Sequence, residues 1–213
     1  LGLGQSFARV DDICKPMNWT GFPNVFNPKW QRSCDKQALA LCGATKGDPW
    51  LIGYFIDNEL EWWGKVGRRG LLGEVFQKPP DHSSKQALIE FFKKRYTGIA
   101  AFNSAWKTNL KDFEALRSFA PPDAPPTGQA AKDRDAFVAL VAERYFAVTA
   151  AAIRKADPNH LVLGCRFAGD APEGCWAPAG KHCDVVSVNY YGGVDLERGV
   201  ASGFERFSDK RYS

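Results

Sequence analysis

The sequence predicts an α/β fold built on a parallel sheet. Three observations carry this. Short apolar runs recur without polar alternation: WLIGYFI (50–56), HLVLGCRF (160–167) and DVVSVNYY (184–191). Strands covered on both faces read this way. Helical patterns separate them, which is the order of βαβ units. Polar residues gather at the carboxyl ends of the runs, and in a parallel sheet those ends share one face.

Composition bounds the alternatives. With 213 residues, 45% hydrophobic and 24% charged, the chain can bury a core and is not broadly disordered. Net charge is 28 − 24 = +4, and the basic residues are scattered. The densest cluster, Lys93, Lys94 and Arg95, falls in one helical pattern and reads as a solvated face, so no nucleic-acid partner is expected. No uninterrupted apolar run approaches the roughly 18 residues of a membrane helix, so no membrane partner is expected either. Aromatics are abundant, with 7 Trp, 6 Tyr and 15 Phe. They fill cores, and Trp in loops beside a cleft can also stack on sugar rings.

In order, LGLGQSF (1–7) reads as the end of a strand, followed by a loop through Asn18, Trp19, Gly21, Phe22 and Pro23. Asn27 as N-cap and Pro28 at the first helical position start a helix over 28–45 that stops near Gly47. After the Asp48-Pro49 turn comes the strand 50–56. Residues 57–83, rich in Gly, Trp and Arg, read as a long excursion. Ser83 or Ser84 caps a helix to Tyr96. Shorter helices follow over 97–106 and 112–118, then a Pro-rich loop over 119–128. A long helix over 132–156 carries Phe137, Val141, Tyr145, Val148 and Ile153 on its apolar stripe. Asp157-Pro158 ends it. The strand 160–167, a loop with Gly169, Pro172, Gly174 and Pro178, and the strand 184–191 complete the pattern. The tail to Ser213 is polar and weakly helical.

Periodicity alone does not separate an open doubly wound sheet from a (β/α)₈ barrel. GLGQSF does not open a helix as a dinucleotide-binding G-x-G-x-x-G does, and no P-loop motif occurs. The six cysteines contain no CxxC, and His82, His160 and His182 show no ligand spacing. Asp57 and Glu61 flank Glu59, but no His or further close carboxylate joins them. No metal or other cofactor is expected. Cys175 and Cys183 could close a loop disulfide in an oxidising compartment, and buried thiols are equally plausible. No signal peptide is visible, which says little for a chain beginning at Leu1.

The chemistry concentrates at the strand ends. WLIGYFI runs directly into Asp57-Asn58-Glu59; the last strand ends in Asn189, Tyr190 and Tyr191; HLVLGCRF ends with Arg166; the first ends with Gln5 and Ser6. Four such ends on one face make a polar site with a carboxylate near its centre.

DPWLIGYFIDNELEWWG (48–64) resembles the fourth-strand segment of retaining β-glycosidases with a (β/α)₈ barrel. The pattern is most like the agarase and β-galactosidase families, glycoside hydrolase families 50 and 42. GFPNVFNPKW (21–30), SKQALIEFFKKRYTGIAAFNSAW (84–106), DPNHLVLGCRFAG (157–169) and DVVSVNYYGG (184–193) agree with it in order. The resemblance implies a partial (β/α)₈ TIM barrel comprising strands three to six with their helices. Residues 1–213 would be one catalytic domain incomplete at both ends, since a full barrel takes about 250 residues. Retaining cleavage needs a proton donor and, about 5–5.5 Å away, an attacking carboxylate. By resemblance Glu59 is the general acid/base, Asn58 bonds the sugar 2-hydroxyl, and Tyr191, with Asn189 on the same strand face, orients the nucleophile. The nucleophile itself would lie beyond the chain end. Arg166 adds positive potential, contacts substrate, or pairs with a carboxylate inside the barrel. Of Trp62 and Trp63, one is expected to pack and one to stack on a sugar. The resemblance implies a carbohydrate partner, β-linked galactose-containing, and a secreted or periplasmic enzyme; neither is encoded in the residues themselves. A non-catalytic carbohydrate-binding protein on a degenerate barrel is the alternative.

Overall fold

In a computed structural model of the chain, the described residues are 7–15, 21–64, 70–121, 126–169 and 171–189. Helix α1 (Pro28–Cys42) starts as the sequence predicts: the Asn27 side chain accepts from Lys29 N–H at 2.9 Å. It ends at Gly43, earlier than expected, and buries Trp30, Cys34, Ala38 and Cys42, one per turn, against the long helix described below. Strand β1 (Gly53–Asn58) begins and ends later than the apolar run. Trp50 and Ile52 are 91% and 73% exposed and precede the sheet. A side chain at Gly53 would meet the Leu161 carbonyl at 2.3 Å, so glycine allows the strands to approach there.

The excursion contains a helix the sequence did not suggest, α2 (Gly70–Phe76). Its seven residues are all buried, so packing rather than propensity makes it. The cap of α3 (Ser83–Arg95) is His82, not a serine: its Nδ1 accepts from Ser84 N–H at 3.3 Å. α4 (Ile99–Trp106) and a 3₁₀ turn (Phe113–Arg117) follow. α5 (Gly128–Ala156) starts four residues before the predicted point. By length and composition it is apolar enough to cross a membrane, which uninterrupted-run counting missed. Here its apolar stripe is buried, with Phe137, Val141, Tyr145 and Ile153 inside and Val148 partly so.

Strand β2 (Leu161–Ala168) matches its prediction. The next loop holds a 3₁₀ turn (Glu173–Cys175) and helix α6 (Trp176–His182), hidden in the sequence by Pro178 and Gly180. β3 (Ser187–Asn189) is the last described strand. The sheet is parallel in the order β1-β2-β3. Sequential parallel neighbours joined by helical crossovers make the wall of a partial (β/α)₈ barrel. Of the predicted opening strand only Phe7 is described.

The β1–β2 register carries two offsetting irregularities. Tyr54 pairs with Val162 but Phe55 with Gly164, leaving Leu163 extra on β2; Phe55 to Asn58 then spans three steps against two on β2. Gly164 takes φ +72, which suits a bulge. The second bulge decides the site. Tyr54 faces the helix layer, where its hydroxyl donates to Asp157 at 2.7 Å. Strict alternation would put Asn58 on that same face. The extra residue turns it to the other.

Two aromatic cores hold the layers. Trp62 stacks on Phe146 (5.5 Å between centroids) and meets Phe22, Tyr145 and Phe167 edge-on. Phe76, Phe92, Phe102 and Trp106 form the second, under α2 to α4. Beside it buried Asp133 accepts from Arg95, Tyr96, Trp106 and Gln129, tying α3 and α4 to α5. All six cysteines are buried thiols, and no disulfide joins Cys175 to Cys183.

Candidate active site

The carboxyl ends of the three strands bring Asn58, Glu59, Arg166 and Asn189 together. Asn58 closes β1 opposite Arg166 on β2, and Ala168 pairs with Asn189 at the end of β3. The Asn189 amide donates to Asn58 Oδ1 at 2.9 Å and to Glu59 Oε1 at 2.7 Å. One amide therefore links the Asn-Glu pair. Asn58, its carbonyl engaged, keeps its N–H groups as donors.

Glu59 is partly exposed and sits at φ +51, in the left-handed region that suits glycine. A glutamate there costs about 1–2 kcal/mol. Its N–H donates to the Arg166 carbonyl at 2.9 Å, which holds the turn against β2. Strain of this kind collects at functional sites.

The Arg166 guanidinium lies 5.0 Å from the Phe55 ring centroid, with Nε buried and lacking a hydrogen-bond partner. Among the described residues no carboxylate pairs with it. The two tryptophans separate clearly. Trp62 is 2% exposed at the centre of its aromatic cluster, so of the expected pair it is the one that packs and not the one placed to bind substrate. Trp63 is 56% exposed and is the indole a sugar could reach. Tyr191, with Tyr190, Gln5 and Ser6, lies outside the described residues.

Sequence reading missed Asp57 as a member of a buried network. Its Oδ1 accepts from Phe7 N–H at 2.9 Å and its Oδ2 from the Tyr145 hydroxyl at 2.6 Å. Burial pushes the carboxyl up to about 6, against the pull of these bonds and of Arg9. Burial, reinforced by the Asp57 charge, likewise raises Tyr145 well above its ordinary value, so the phenol stays a donor. Tyr145 is 88 positions from Asp57 and reads locally only as part of an apolar stripe.

A second polar constellation resembles a nucleophile relay but is structural. Asp11 Oδ2 lies 3.2 Å from His82 Nε2, and His82 Nδ1 lies 2.7 Å from Ser84 Oγ. Ser84 is fully buried in the first turn of α3, where no substrate could meet it.

The fold is that of a segment of a (β/α)₈ barrel of the kind found in glycosidases. No family model matches the chain. In sequence it is similar to β-agarase A of Vibrio sp. (strain JT0107), 31% identical over 187 residues, and to β-agarase B of the same organism, 27% identical over 183. Each match takes in 81% of this chain but only 18% and 19% of those relatives. Among solved structures, an exo-β-agarase superposes with a TM-score of 0.76 at 28% identity, covering 89% of this chain and 26% of that one. Another agarase gives 0.75 at 31%, covering 88% and 27%. A β-galactosidase from Halorubrum lacusprofundi gives 0.57 at 18% identity, covering 86% and 27%, and shares the fold. The resemblance to agarases and β-galactosidases thus holds over most of the chain, which spans about a fifth of the length of its curated relatives.

Proposed function

We propose that the chain is the acid/base-bearing part of a retaining glycoside hydrolase acting on β-linked galactose-containing saccharides. One observation carries the reading: an Asn-Glu pair closes β1, and the amide of Asn189 engages both members. The chain's similarity to agarases supports the substrate class.

In this reading the Glu59 carboxyl protonates the glycosidic oxygen as the bond breaks, then takes a proton from the water that releases the sugar. Asn58 donates to the 2-hydroxyl, an interaction that tightens in the transition state. Arg166 supplies positive potential, Trp63 a stacking face, and Tyr191 orients the attacking carboxylate. That carboxylate comes from a later strand of the barrel, so residues 1–213 alone do not complete double displacement.

The test is Glu59→Gln in the complete parent enzyme. Hydrolysis of a saccharide should fall roughly 10²–10⁴-fold. Added azide should restore turnover of an activated aryl glycoside by trapping the glycosyl-enzyme as a β-glycosyl azide. Wild-type turnover of the saccharide would remove Glu59 from the role. Saccharide binding by a parent protein without turnover would identify a carbohydrate-binding barrel instead.

A further inference from the structure

The aim of Asn58 and Glu59 depends on the β1 bulge, and the ladder does not hold that bulge. Between the Phe55 and Asn58 pairings, Ile56 and Asp57 have no regular partner on β2. The Asp57 side chain is tied instead. Its two oxygens accept one bond from the backbone at Phe7 and one from Tyr145 on α5. Tyr145 is itself fixed by Trp30, Trp62 and Phe146.

A carboxylate only 4% exposed and bonded to no cation among the described residues destabilises a fold relative to an apolar side chain. What it offers in return is two directed bonds from two different elements. They meet one residue before Asn58, on the face that alternation would deny to Asp57. We infer that Asp57 is a positioning residue: with Tyr145 and the Phe7 N–H it pins the bulge that turns Asn58 and Glu59 toward Asn189. This rests on the acid/base reading of Glu59.

The chemistry of the clamp makes three variants informative. Asp57→Asn keeps both bonds: the amide oxygen accepts from Phe7 N–H, and the amide N–H donates to the Tyr145 oxygen. Asp57→Ala loses both, and Tyr145→Phe loses one.

The experiment compares kcat/KM in the complete parent enzyme on two substrates. One is a β-galactosidic oligosaccharide, whose leaving group needs a proton; the other is a dinitrophenyl β-galactoside, whose leaving group does not. Tyr145→Phe should lose about tenfold on the oligosaccharide and several-fold less on the aryl substrate, which shares the Asn58 contact but needs no proton, a contrast typical of impaired acid catalysis. Asp57→Ala should lose more, with the same contrast, and Asp57→Asn should recover most of it. Thermal melts establish that each variant is folded. If Asp57→Ala does not fold, Tyr145→Phe decides. Equal losses on both substrates, or no loss in folded Tyr145→Phe, would overturn the inference. Glu59→Gln, run alongside, keeps the two readings apart. If it shows no contrast, the acid/base reading falls; if it does and the clamp variants do not, only the clamp falls.

Discussion

Asn189 and Glu59 stand 130 positions apart and meet through a 2.7 Å hydrogen bond between the ends of β3 and β1. The same amide reaches Asn58, so the barrel wall must curve correctly through β2 for either contact to form. Bonds to charged acceptors contribute about 1.5–3 kcal/mol.

Asn189→Ala should therefore lower kcat/KM for a saccharide by about tenfold or more, since 1.4 kcal/mol is a factor of ten. Kinetics on the complete enzyme, with a melt to establish folding, check this. Unchanged kinetics would mean that Glu59 is held by other contacts.

Trp62 and Trp63 should behave oppositely. Trp62→Ala empties the centre of an aromatic cluster and should cost about 3–5 kcal/mol. Trp63→Ala should change stability by no more than about 0.5 kcal/mol while raising KM for a saccharide. Denaturant unfolding and saturation kinetics separate the two effects.

Asp57 predicts a particular slope of stability with pH. Its folded pKa, about 6, lies above its ordinary value, so the native state binds the extra proton. That stabilisation is full below about pH 4 and is lost as pH rises toward 6. Asp57→Asn should remove this slope and be the more stable protein at neutral pH. Unfolding free energies from pH 4 to 7 test it; identical slopes in both proteins would refute the assignment.

At the opposite end of the strands, Asp157 accepts from Tyr54, from Asn159 N–H and from His160, whose other ring nitrogen lies 3.0 Å from the Asp48 carbonyl. Burial works to raise the Asp157 pKa, but the bonds together lower it; the bond to Asp157 raises that of His160. The signs are opposite. The Asp157 contribution is present above about pH 4 and lost as pH falls through its depressed value. The His160 contribution is present below about pH 6.5 and lost as pH rises through its elevated value. His160→Gln should thus cost most near pH 5–6 and progressively less in alkali, read from melting temperatures.

How far the sequence announced all this depends on distance along the chain. Asn58 and Glu59 were legible because an apolar run ends in them, and α1 because Asn27-Pro28 is a local signal. β1 and β2 were legible because burial leaves a nearly continuous apolar trace; β3, half-buried throughout Ser187–Asn189, starts three residues later than its apolar run. α2 and α6 were not: seven residues containing Gly or Pro become helical only when neighbours bury them. The N-cap of α3 was misread because a histidine nitrogen did what a serine oxygen usually does. The separation of Trp62 from Trp63 depends on Phe146 and Phe167, more than 80 positions away. The Asp57 clamp joins three segments that no short window contains.

The paired irregularities in β1 and β2 also govern how this wall can be altered. From Tyr54–Val162 to Asn58–Arg166 each strand has advanced four residues, so the surplus on one is cancelled on the other. Deleting a residue from either strand alone would leave the remaining pairings out of step, whereas removing the surplus one from both would restore alignment with the asparagine still on its present side. Anyone transplanting this segment into a different cylinder would have to carry the two strands as a matched set.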